Sequence, residues 1–170
     1  MAKGIFTSDF IVSLAVFVVV LAMAAPLWDG IRSQAAFSSL QKQTQADALT
    51  AADALVRGAG SPREWDAGTV KSIGLADEEH VLNATKARQL ANMLKAGYYS
   101  AKGIMGLAPY ELNYSITSAG GSPVVLEGNE TAAYSNASVS SAAYSIRRTA
   151  LLQLNATHRQ IVNLNLVVWR

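Results

Sequence analysis

Residues 10–28 form an unbroken run of nineteen uncharged side chains in which Ser13 is the only polar one, and a single acid, Asp9, stands at its head. A helix rises 1.5 Å per residue, so about 20 such residues cover the ~30 Å hydrocarbon core of a bilayer. The run is a membrane segment first. A carboxylate at its edge is costly in lipid without a partner, and ionisable groups in such segments are functional by default. A second copy of the same chain is one candidate partner. A cleaved secretory signal would have a shorter apolar core followed by small residues, and Ala22-Met23-Ala24-Ala25 offers such a site in principle. The residues beyond it argue for continuation instead.

From residue 29 to residue 57 there is no proline and one glycine, Gly30, while Ile31, Phe37, Leu40, Ala48, Ala52 and Leu55 recur among Gln, Lys and Asp. That spacing predicts an amphipathic continuation of the same helix, stopped by Gly58-Ala59-Gly60-Ser61-Pro62. The helix would span residues 5–57, on the order of 80 Å. Pro26 falls inside it and is expected to bend it or loosen one turn.

Lys3-Gly4, then Ile5-Phe6-Thr7-Ser8-Asp9 and the apolar run, resemble the N-terminus of type IV pilins, which a dedicated prepilin peptidase cuts after the glycine. The resemblance implies a leader of residues 1–4, cleaved between Gly4 and Ile5, and an assembly segment containing Ile5, Asp9 and Pro26. Asp9 becomes the fifth mature residue, where the family usually has Glu; Asp keeps the charge and shortens the reach. It would neutralise the free amine of Ile5 on a neighbouring subunit while apolar helices bundle into a filament core. A carboxylate and an ammonium that are each unpaired in an apolar setting strongly favour each other. The apolar run by itself favours an uncleaved single-pass anchor, with Asp9 near the headgroups; the joint match of basic leader, Gly4, Asp9 and Pro26 shifts the reading to a pilin-like one.

Lys3 and the positive-inside tendency place the N-terminus in the cytoplasm and the long remainder outside. Five Asn-X-Ser/Thr sequons agree with an exported head: Asn83, Asn113, Asn129, Asn136 and Asn155. With eight Asn and 25 Ser or Thr in 170 residues, chance gives roughly one. Such sites are used where a glycosylation machinery meets an exported chain. Crowding of Asn with Ser and Thr in surface turns is the structural alternative. There is no cysteine, so an exported head must rely on its own core rather than on disulfides. The formal charge of +2 and the lack of a basic stripe with interleaved aromatics exclude nucleic acid as an expected partner.

Residues 58–170 suffice for one compact domain. Ser61-Pro62-Arg63-Glu64-Trp65 reads as a turn anchored by tryptophan. Residues 83–94 have the spacing of a short helix with Leu90, Met93 and Leu94 inward and Asn83 as its cap, and a second helix is expected from Tyr98 to about Met105. Residues 111–117 alternate as a strand, Gly120-Gly121-Ser122 turns the chain, and residues 123–127 form a short partner. Residues 139–154 and 160–169 complete the pattern. Ile161, Leu164 and the last four apolar residues do not alternate strictly, which predicts an end covered on both faces. The expected fold is α+β: a long N-terminal helix packed against a small antiparallel sheet of about four strands with two short helices.

Gly60-Ser61-Pro62-Arg63-Glu64-Trp65, Ile73-Gly74-Leu75-Ala76, Leu82-Asn83, Lys86, Tyr98 and Gly106-Leu107, with a closing apolar strand ending in Trp169, are similar to the heads of archaeal type IV pilin-like proteins. The bacterial pattern would include a C-terminal cysteine pair. The resemblance implies a homo-oligomeric helical filament, handled by the prepilin peptidase and a pilus assembly machinery. The chain would be a membrane precursor before assembly and an extracellular adhesive surface filament afterwards. A membrane-anchored binding module, or a minor pilin that does not itself polymerise, is the alternative.

No catalytic function or cofactor is expected. No G-x-S-x-G, P-loop or dinucleotide fingerprint occurs. Asp77-Glu78-Glu79-His80 is the one cluster resembling a metal site, but it lacks the alternating oxygen ligands and glycine turn of a calcium loop and reads as a solvated acidic loop. The six tyrosines, Tyr98-Tyr99 included, read as packing residues rather than a ligand-stacking array.

Overall fold

The structure, a computed structural model, describes residues 3–126, 129–135, 137–139, 142–155 and 157–170, without the side chains of residues 3–8, 129 and 130. The chain has two compact units, Met1–Lys42 and Gln43–Arg170.

Helix α1 (Lys3–Arg57) is assigned without interruption through Pro26. Within the first unit, residues 9–40 are exposed throughout, including Phe10, Val16, Phe17 and Leu27. The helix is long and apolar enough to cross a membrane.

The second unit is an α+β head, and it begins inside the helix. Ala48, Ala51, Ala52, Leu55 and Val56 belong to its core cluster. Three of these five are alanines, whose small side chains let a helix backbone approach its neighbours closely. Helix ends leave orphan carbonyls, and here the chain returns to them. Gly58 N–H donates to Ala54 O (2.9 Å), Leu75 N–H to Leu55 O (2.9 Å) and His80 N–H to Val56 O (3.2 Å).

Among the described residues eight strands follow: β1 (Ala76–Glu78), β2 (Val81–Asn83), β3 (Glu111–Ser118), β4 (Val125–Leu126), β5 (Asn129–Glu130), β6 (Ala132–Ala133), β7 (Tyr144–Gln153) and β8 (Arg159–Trp169). Helices α2 (Ala84–Ala96) and α3 (Tyr98–Ile104) lie between β2 and β3. The main sheet has the order β1-β2-β7-β8-β3-β6, while β4 and β5 form a separate ribbon. Its centre is antiparallel, with Leu112, Tyr114 and Ile116 opposite Val168, Leu166 and Leu164. These six are fully buried, because side chains two apart on a strand share a face. They join Leu90, Ala91 and Leu94 of α2 in one core.

Two details correct the antiparallel four-strand expectation. Strand β2 pairs with β7 in parallel, Leu82 opposite Leu152, which makes the sheet mixed. Of the expected partner 123–127, residue 127 lies outside the described residues; Pro123 bridges Thr117 and Val124 N–H donates to Ile116 O (3.0 Å), but Val125 and Leu126 pair with β5 rather than extending the main sheet. Both differences come from segments of two or three residues, too short to carry a period. On β8, Val162, Leu164, Leu166 and Val168 alternate inward, and Trp169 is buried as well. The end of that strand is covered on both faces, as its sequence predicts.

Candidate functional site

The predicted assembly residues all fall on α1. Gly4 and Ile5 lie in its first turns, Asp9 is exposed there, and Pro26 lies within the helix. Asp9 opens a surface of exposed Phe10, Ile11, Val12, Leu14, Val16 and Phe17, each at least 50% exposed. A contiguous apolar surface of this extent is the mark of a membrane or protein contact.

The sequons fall into different local geometries. Asn83 is the N-cap of α2: its Oδ1 accepts from Thr85 N (2.8 Å) and Lys86 N (3.2 Å), and its Nδ2 donates to Asp77 Oδ2 at 2.8 Å. Every polar atom of that side chain is engaged. Asn113 lies mid-strand on β3, half-buried, its Oδ1 accepting from Ser135 N at 2.8 Å. Asn155 is exposed in the β7–β8 turn, and its Oδ1 accepts from Thr157 N (3.1 Å), Thr157 Oγ1 (3.2 Å) and His158 N (2.8 Å). This is an Asx turn. It brings the sequon hydroxyl to the amide carbonyl and directs all three bonds to Oδ1 rather than Nδ2. Asn129 lies on β5, and Asn136 lies outside the described residues.

The acidic run at residues 77–80 is only partly the solvated loop its sequence suggests. Asp77 pairs with the buried Lys86, Nζ to Oδ1 3.2 Å, and the same ammonium donates to Ala59 O (3.1 Å). A buried cation is tolerated when it is paired and hydrogen-bonded in this way. Among the described residues no group of three or more acids, histidines or cysteines is placed to hold a metal.

Sequence periodicity misses a second cluster, because its members come from α3, β3 and the segment after β6. Lys102 is buried, its Nζ donating to Tyr110 O (2.7 Å) and Glu111 Oε1 (3.0 Å). Glu111 Oε2 accepts from Tyr98 Oη (2.9 Å) and Ser135 Oγ (2.5 Å). The Ser135 hydrogen bond and the Lys102 ammonium outweigh burial and hold the Glu111 carboxyl below its ordinary value. Burial is the larger influence on Tyr98 and pushes its phenol up. The sequence itself offers only a lysine, Lys102, followed nine positions later by an acid, Glu111.

The fold and the α1 surface thus define a class: a long apolar N-terminal helix joined to a cysteine-free α+β head. Compared with protein-family models, curated proteins and solved structures, the chain matches none significantly.

Proposed function

We propose that this chain is a structural subunit of an archaeal type IV pilus-like filament, assembled through its N-terminal helix and displaying the head for surface attachment. The observation that carries this reading is the exposed apolar surface of α1 with one acid, Asp9, at its start. Removal of residues 1–4 exposes the amine of Ile5, which pairs with Asp9 of a neighbouring copy. In a low-dielectric bundle that pair holds register, because a shifted helix leaves both charges buried and unpaired. The head is N-glycosylated, with Asn155 the acceptor of best geometry and Asn83 the poorest.

Intact mass of protein from its native membrane tests the processing step. The expected mass is that of a chain beginning at Ile5, with any glycan mass in addition. A chain retaining Met1 to Gly4 contradicts the reading and favours the uncleaved anchor, since lipid covers the same apolar surface without polymerisation.

A further inference from the structure

We propose that the cleft between α3 and the segment after β6 binds a neutral saccharide, with Tyr99 and Tyr134 as its stacking surfaces. The cleft has a volume of about 370 Å3, and Lys95, Tyr98, Tyr99, Glu111, Tyr134 and Ser135 are among its lining residues. Pockets that hold small molecules occupy roughly 300–1,000 Å3 and combine apolar walls with a few placed polar groups.

Two tyrosines on this one cleft are strongly exposed, Tyr99 at 77% and Tyr134 at 60%. An exposed ring normally costs ordering entropy when a ligand lands on it. Tyr99 is already held. Its ring stands edge-on to Tyr98 with centroids 5.6 Å apart, and the Lys102 ammonium lies 4.9 Å from the Tyr99 centroid and 5.1 Å from that of Tyr98. Tyr98 is fixed in turn by Leu112 N–H, which donates to its Oη at 2.7 Å. The opposite wall is tied to the same floor, because Ser135 donates through Oγ to Glu111 and through N–H to Asn113. Ala137 N–H donates to Ser135 Oγ at 3.0 Å, which fixes the chain just past Tyr134.

This arrangement suits a sugar. A pyranose has an apolar C–H face that lies on an aromatic ring and a rim of hydroxyls for polar neighbours, here the phenols and the Lys95 ammonium. Tyrosine offers both kinds of contact with little rotamer entropy to lose. Lys102 and Glu111 cancel in charge at the floor, so the floor itself makes no demand for a charged ligand. The proposal holds whether or not the chain polymerises.

The test is saturation-transfer NMR of the full chain in a detergent without a sugar headgroup, titrated separately with cellobiose, maltose and chitobiose. At least one should bind saturably with Kd on the order of 1 mM, with transfer concentrated on the C–H protons of one ring face. Tyr99→Ala and Tyr134→Ala should each weaken binding roughly tenfold or more, as truncation of an aromatic anchor does. Tyr99→Phe keeps the stacking face and should retain binding. Both alanine sites are exposed, and unchanged circular dichroism confirms that the variants fold. The proposal is overturned if no disaccharide saturates at about ten times that concentration, or if binding survives both alanine variants. It is equally overturned if those variants leave sugar binding intact and instead weaken self-association in sedimentation, which would make the cleft a contact between copies.

Discussion

The indole N–H of Trp65 donates to the carbonyl of Gly74 at 2.8 Å, and the ring is buried to 2% exposure. This bond joins the two motifs that first suggested a pilin-like head, the turn ending in Trp65 and the segment containing Gly74. Both depend on glycine at close quarters. Gly60 adopts φ +79° beside the Trp65 ring, and a Cβ on Gly74 would sit 2.3 Å from Gly58 O. Gly58 O in turn accepts from Ala76 N at 2.9 Å. The turn after α1 is thus clamped onto β1 by one buried ring and one close backbone contact.

Gly74→Ala should therefore destabilise the head by about 1–3 kcal/mol through overpacking. Trp65→Phe should cost a similar amount, since it leaves Gly74 O buried without its donor. Urea unfolding of each variant checks this, and an unchanged midpoint for Gly74→Ala would show that the backbone there yields freely.

Stability should fall at both ends of the pH scale. In the folded head the Asp53 carboxyl is lowered from its ordinary 3.8, mainly by its hydrogen bond from Arg148 (2.7 Å), and Glu111 is lowered from 4.5, first by Ser135. Both contributions are complete above the unfolded values and are lost as pH falls through the lower folded ones. Burial raises Tyr98 and Tyr110 from 10.0, so their contributions are complete below pH 10.0 and are lost as pH rises beyond it. Thermal midpoints measured across pH should show this dome. Asp53→Asn should flatten the acid limb only, whereas Glu111→Gln should flatten the acid limb and also soften the alkaline one, because the Glu111 carboxylate helps to raise Tyr98.

The sequons should separate by geometry. Glycopeptide mass mapping of native protein is expected to find Asn155 occupied and Asn83 empty, because the Asn83 amide is spent on Asp77 and its carbonyl caps α2. Asn83→Ala should cost about 1 kcal/mol through loss of the cap without changing the glycan mass. Occupancy of Asn83 would mean that transfer precedes folding of this helix.

Several elements are legible in the sequence for identifiable reasons. Asn83 marks the start of α2 because its side chain is both cap and turn former, β3 is visible through its two-residue period, and β8 is visible as a closing apolar run. Strands β1 and β2 escape notice because three residues cannot show a period, and the parallel pairing of β2 with β7 depends on residues about 70 positions apart in the chain. The apolar recurrence along the second half of α1 is legible too, and Ala48, Ala52 and Leu55 are buried in the head core, but the same recurrence includes Ile31, Phe37 and Leu40, which are exposed. The Tyr98–Tyr99 pair reads as packing, and only the fold shows that Tyr98 is inserted against β3 while Tyr99 faces solvent. Asp9 is legible at once as a misplaced acid, but its proposed partner lies on another molecule, beyond the reach of one chain's sequence or fold.

Electron microscopy of cells producing Asp9→Ala in place of the native chain tests that proposed pairing most directly. Normal membrane insertion, cleavage after Gly4 and a loss of filaments are expected, with Asp9→Glu restoring the filaments because the carboxylate is kept. Filaments at native yield from Asp9→Ala would contradict the pairing.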